Sequence, residues 1–154
     1  MNDGPQTRDY FAEMYVAGIL ADKGWNVYFP RRDKGFDFII TKEFGERIVV
    51  RPVQVKGKYP GQGKTDKTVY GYIGKLSQLH HDMVLAIAFF SHDSTTKSPE
   101  CVAYLPRTRI SPQASRGYAC QPAKFTDGRA APRRDYAQYF DDAGIANMES
   151  DNWE

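Results

Sequence analysis

Asp37 is an acid set between Phe36 and Phe38, and Gln54 and Lys56 stand two residues apart in RPVQVKGK, a run that otherwise alternates apolar and polar side chains. Successive side chains of a strand point to opposite faces, so Gln54 and Lys56 project together while Val53 and Val55 project the other way, into a core. Glu13 sits in a helical pattern between Phe11 and Met14, beside positions that should pack on a sheet. A helix carboxylate, a strand carboxylate, and an amide oxygen with an ammonium from the next strand would together form a hard-oxygen site next to a fixed cation. Such a set suits Mg²⁺ (or Mn²⁺), which keeps several waters and takes further ligands from a phosphate. The plain alternatives are a turn-capping role for Asp37 and a solvated helix face for Glu13.

These residues need a helix and at least two paired strands to position them. From Thr7 to Lys23 the apolar residues Phe11, Met14, Tyr15, Ala17, Ile19 and Leu20 follow helical spacing, with Thr7 as N-cap and Gly24 as the stop. Three β-rich runs follow: Trp25 to Pro30, Phe36 to Thr41, and Ile48 to Lys58, with a turn at Gly45. Their short connections predict an antiparallel meander. Pro52 cannot donate to a ladder, so the third strand should be bulged, or unpaired on one side, just before Gln54. Tyr59 to Gly74 reads as a loop, KLSQLHHD as the end of a short helix, Met83 to Phe90 as a strand covered on both faces, and Cys101 to Pro106 as a fifth strand. Beyond that, Arg107 to Pro132 shows weak periodicity, and a short helix is expected near Asp135 to Ala143. The organisation expected is one domain over residues 1–140 and an acidic, disordered tail over 141–154.

The net charge of +2 conceals a polarised chain. Five acids (Asp141, Asp142, Glu149, Asp151, Glu154) lie in a tail without Lys or Arg, which leaves 21 basic against 14 acidic residues before it. Between Arg51 and Lys75 six basic residues face the single acid Asp66, so positive charge gathers just after the Gln-Val-Lys run. A polyanion is the partner this favours. No apolar run approaches the roughly 18 residues of a membrane span, so a cytoplasmic protein with no membrane partner and reduced Cys101 and Cys120 is expected.

The order of these features resembles the PD-(D/E)XK nuclease superfamily: a helix with Glu13, a strand, a strand opening on Asp37, and a strand carrying Gln54-Val55-Lys56. The motif-bearing likeness covers about residues 9–58, with Phe36 in place of the usual proline and Gln54 in place of the usual acid. The resemblance implies an α/β fold, an αβββαβ core whose mixed, partly antiparallel central sheet is flanked by helices. It further implies that Asp37 ligates the metal directly, that Gln54 gives its side-chain oxygen and Val55 its carbonyl, that Glu13 acts through water or a second ion, and that Lys56 orients the attacking water or offsets charge on the phosphate. The expected activity is metal-dependent endonucleolytic hydrolysis of DNA. Lys58, Lys64, Lys67, Lys75, Arg31 and Arg32 would contact its backbone, and cleavage of both strands would favour a homodimer or larger symmetric assembly. The rival is a catalytically inactive nucleic-acid-binding or interaction module on the same scaffold.

Two other signals carry less. GQGKT (Gly61 to Thr65) misses phosphate-loop spacing by one residue from Gly57. His80, His81 and His92 lack a cysteine at ligand spacing, and adjacent helical side chains diverge by about 100°.

Overall fold

Gly24 closes the first helix, α1 (Gly4–Asp22), with φ of +96°, a conformation that suits glycine. The Gly24 amide donates to the Ala21 carbonyl and the Trp25 amide to the Leu20 carbonyl, the paired bonds of a Schellman cap. Leu20 and Trp25 both enter the core, so the cap also fixes where the chain turns into the sheet. The N-terminal boundary differs from the expectation: the helix starts at Gly4, which places Thr7 inside it rather than at its cap. Pro5 explains the earlier start, since its missing N–H is no loss in a first turn. The computed structural model describes residues 4–31, 35–60, 81–91, 98–113, 117–150 and 153.

Five strands follow, β1 (Asn26–Tyr28), β2 (Phe38–Phe44), β3 (Arg47–Lys58), β4 (Val84–Phe89) and β5 (Cys101–Pro106), and they lie side by side in chain order. β1, β2 and β3 form the expected antiparallel meander, with Gly45 at φ +64° in the tight β2–β3 turn. β4 runs parallel to β3 and antiparallel to β5, so the sheet is mixed. The helix expected between β3 and β4 falls largely in residues 61–80, outside the described residues.

Pro52 introduces no bulge. It lies opposite Ile39 in an unbroken β2–β3 register, while the ladder with β4 begins one residue later, at Val53. The Val53 carbonyl accepts from the Asp37 amide and the Lys58 carbonyl accepts from the Phe90 amide, so odd residues of β3 turn their main-chain groups to β2 and even ones to β4. The missing N–H of Pro52 therefore points past the end of the β4 ladder. Of the two alternatives the sequence left, the strand unpaired on one side is the one found.

Each face of the sheet has its own core. On the first, Ala12, Val16 and Leu20 of α1 pack on Val53, Val55, Ala86 and Ala88. On the second, Leu85, Ile87 and Phe89 are covered by Ala123, Phe125, Tyr139 and Phe140. β4 is buried along its whole length because it serves both. The covering layer of the second face includes a hairpin, β8 (Ala123–Thr126) and β9 (Arg129–Pro132), which follows a smaller one, β6 (Ser111–Gln113) and β7 (Gly117–Ala119). The β8–β9 turn is Asp127-Gly128, both at positive φ (53° and 77°), as a two-residue hairpin of this hand requires.

The tail is the main correction to the sequence reading. A 3₁₀ segment (Arg134–Tyr139) leads into α2 (Asp141–Met148), and Ile145, Met148 and Trp153 are buried in the first core beside Val102 and Tyr104. Only three large apolar residues mark this in a polar segment, and many of the contacts that hold it come from far away in the chain. Its acids neutralise the basic body: Asp142 pairs with Lys23 at 3.0 Å, and Glu149 with Lys42.

Gly144 lets α2 reach β5. A Cβ there would fall 2.2 Å from the Tyr139 carbonyl oxygen and 3.0 Å from the Tyr104 ring. Gly144→Ala should therefore lower stability by about 1–3 kcal/mol, despite the better helix propensity of alanine. Urea unfolding of the two proteins measures this, and an unchanged midpoint would contradict the packing.

Asp141 also stands at positive φ (53°), with its Oδ1 accepting from the Val102 amide at 2.9 Å. Burial raises its carboxyl above the ordinary value of 3.8; the Val102 bond works against that rise and the charge of Asp142 adds to it. Between 3.8 and the raised value the folded chain binds the proton more tightly than the unfolded chain, so this group lowers stability as pH rises through that window. Asn would keep the acceptor and tolerate the backbone. The melting temperature of wild type relative to Asp141→Asn should thus increase on acidification through that window; a relative decrease would reverse the assignment.

Candidate functional site

β3 outlasts β2 at one end of the sheet, and this mismatch makes a notch. β2 begins at Phe38, opposite Val53, so among the described residues Val55 and Gly57 of β3 have no strand beside them on that side. Asp37 fills the gap: its Oδ2 accepts from the Val55 amide at 2.6 Å, and its own amide donates to the Val53 carbonyl at 2.8 Å. A carboxylate accepting a main-chain N–H is a charge-assisted bond, stronger than a neutral one. Because N–H and C=O of one residue leave a strand on the same side, the Val55 carbonyl faces the notch that Asp37 occupies.

Gln54 and Lys56 flank Val55 and turn to the second face, alongside Leu85 and Ile87 in the parallel register. Both are half-buried, whereas Val53 and Val55 are buried against α1, so the division of faces expected from the alternation is observed. The structure thus sets Asp37 directly against the Gln54-Val55-Lys56 run.

Glu13 is placed differently. α1 approaches β3 so closely at Gly57 that a Cβ there would sit 3.2 Å from that of Ala12. Glu13, the next residue, is half-buried at the same end of the sheet, but on the helix that covers the first face. Gln54 and Lys56 project from the second. What the four residues share is an end of the sheet, with the edge of β3 between them.

The oxygen donors of the notch are the Asp37 carboxylate and the Val55 carbonyl, with the Gln54 amide on the adjoining face. Among the described residues no three of His, Cys, Asp and Glu gather into a metal-binding group. The donor set therefore fits a hard cation that retains much of its own water, and fits a thiophilic or imidazole-bound metal poorly.

Of the expected backbone contacts, Lys58 ends β3 and is half-buried, and Arg31 is exposed after β1. Arg32, Lys64, Lys67 and Lys75 lie outside the described residues, as do His80 and His92. Tyr59 is a packing residue, stacked on Phe90 with ring centroids 4.6 Å apart and planes within 6°. Cys101 and Cys120 are both buried and free, and burial, followed by the charges of Asp141 and Glu100, pushes the Cys101 thiol up to about 12, so it is no candidate nucleophile. Among the described residues no helix is long and apolar enough to cross a membrane. No protein-family model matches the chain, and no curated protein matches it either.

Proposed function

We propose that the chain is a metal-dependent endonuclease that hydrolyses phosphodiester bonds of DNA. The observation that carries this reading is the 2.6 Å bond between Asp37 Oδ2 and the Val55 amide, which ties a carboxylate to the Gln54-Val55-Lys56 run of β3. Asp37, Gln54 and the Val55 carbonyl would hold Mg²⁺ or Mn²⁺, with Glu13 acting from the helix side through water. When bound, such an ion lowers the pKa of a coordinated water and neutralises phosphate oxygens. Lys56 orients the attacking water or offsets the charge that builds on the scissile phosphate. The Val55 amide holds Asp37 in one orientation, so the carboxylate is positioned before substrate arrives. Val53 and Val55, buried below, fix the strand that carries the motif.

The test is nicking of supercoiled DNA in Mg²⁺ or Mn²⁺ by wild type, Asp37→Ala and Lys56→Ala. Equal cleavage by all three would defeat the proposal. One observation favours the second reading, a binding module without catalysis: Gln54 carries no charge, and among the described residues no three of His, Cys, Asp and Glu gather at the notch. That reading expects salt-sensitive DNA binding in EDTA and no cleavage in either metal.

A further inference from the structure

A concavity bordered by charged side chains lies outside the notch, on the layer that covers the second face. It has a volume of about 400 Å³, and its lining includes Lys124, Thr126, Ala131, Arg133, Arg134 and Asp135. Three cations there meet one carboxylate. Arg133 is held by its neighbours, with Nη1 on the Gln121 carbonyl at 3.4 Å and Nε 4.0 Å from Asp135. Lys124 and Arg134 are exposed and make no ion pair among the described residues, whereas Arg129 of the same hairpin is engaged by Glu100 at 3.1 Å.

The scaffold beneath is packed on the second face. Lys124 and Thr126 alternate along β8 with Ala123 and Phe125, which are buried, and Phe125 packs edge-on against Phe89 of β4. The Arg133 amide donates to the Pro122 carbonyl at 2.8 Å, tying the exit of β9 to the entry of β8. The cations are thus carried on a hairpin and a turn that are anchored to the core of the second face. Ala131, opposite Lys124, leaves the floor low enough for a bulky anion.

Position selects the ligand. Lys56 projects on the side of the sheet that Ile87 faces, and Ile87 shares a core with Phe125 under the hairpin. The pocket and Lys56 therefore belong to the same side of the molecule. The volume exceeds that of one phosphate, and the cations are spread over β8 and the start of the 3₁₀ segment, an arrangement suited to a chain of phosphates. We infer that this pocket grips the phosphate backbone of a DNA duplex away from the cleavage point. The inference shares a DNA ligand with the proposed function and does not depend on its catalytic step.

The experiment measures binding of a short fluorescent DNA duplex by anisotropy, in EDTA and over a salt series. The proteins are full-length wild type, Lys124→Ala/Arg134→Ala, and the charge-reversed Lys124→Glu/Arg134→Glu. Affinity should fall about tenfold in the alanine variant and further in the reversed one, with the slope of log K against log salt reduced by about 1 for each phosphate that is no longer neutralised. Both positions are exposed, so thermal melts should be unchanged. Equal affinity and slope for the three proteins would overturn the inference, as would a wild type that does not bind duplex. Inorganic phosphate that displaces the duplex at equal concentration would assign the pocket to a small anion and also overturn it. A chain that binds through Lys124 and Arg134 yet cleaves nothing would leave this site standing and remove the catalytic one.

Discussion

Lys56→Ala is expected to slow metal-dependent cleavage by about 10²–10³-fold at saturating DNA, and Asp37→Asn by at least as much. The two substitutions act on separate groups and leave the fold in place for separate reasons. Lys56 is half-buried on the second face and makes no ion pair among the described residues, so its removal takes away a charge and leaves the Val53 and Val55 packing intact. Asn at position 37 retains an oxygen to accept from the Val55 amide, so the start of β2 keeps its anchor while the negative charge is lost. Asp37→Ala loses both and should also melt earlier, by about 1 kcal/mol or somewhat more for the missing hydrogen bond. The informative comparison is therefore Asn against Ala. If cleavage falls only in Ala, Asp37 is a structural cap of β3's open edge, which is the plain alternative its position in the sequence already offered. If it falls in both while DNA binding in EDTA is retained, the charge itself is required.

The strand alternation that placed Gln54 and Lys56 on one face was legible because period-two patterning is a local property, and β3 has it without interruption from Val49 to Lys56. The adjacency of β2 and β3 followed from their short connection. What the sequence could not supply was the side of the sheet on which α1 lies, and this separates Glu13 from Gln54 and Lys56. Handedness and layer order arise from the packing of Ala12 on Gly57 and of Val16 and Leu20 on the strands, contacts of long sequence separation. The β8–β9 hairpin was within reach: Asp127-Gly128 after the alternating run AKFT is a strong two-residue turn signal, masked by surrounding Pro, Ser and Arg. The C-terminal segment was not. Ile145, Met148 and Trp153 are too few to predict burial, and the buried polar side chain that binds the end of α2 comes from a residue of β3 far away in the chain.

That residue is Arg51, and Arg51→Ala should cost about 2–4 kcal/mol of stability, the largest effect on folding expected for a polar substitution in this chain. Arg51 is 5% exposed and shares the first face with Val49 and Val53. Its Nε and Nη2 donate to the Met148 carbonyl at 3.1 and 3.0 Å, and Nη2 also donates to the Ser150 carbonyl at 2.9 Å. The last carbonyls of a helix lack intrahelical partners, and a cation at that end also complements the helix dipole, so Arg51 meets both needs of α2 at once. The guanidinium lies 5.4 Å from the Trp153 ring centre and 3.6 Å from Asp82, while the Trp153 indole N–H donates to the Met83 carbonyl at 3.1 Å. Removing it strands one buried carbonyl and loosens another, leaves Trp153 without its cationic cover, and opens a cavity against β3. Arg51→Lys should recover only part, because a point ammonium cannot reproduce a planar fork that bonds two carbonyls. Arg51→Met fills the volume without donors, and so divides the loss between packing and hydrogen bonding. Urea unfolding followed by tryptophan fluorescence reads the result, with each kcal/mol lowering the melting temperature by about 2–4 °C for a chain of this size. A loss below about 0.5 kcal/mol, the range of ordinary surface substitutions, would mean that α2 is held by its apolar contacts and its other polar bonds without Arg51. Val55, with Asp37 bound to its amide, lies further along β3, beyond the Val53 pairing, so the folded fraction of Arg51→Ala should cleave DNA at the wild-type rate. This variant therefore separates loss of stability from loss of the proposed chemistry.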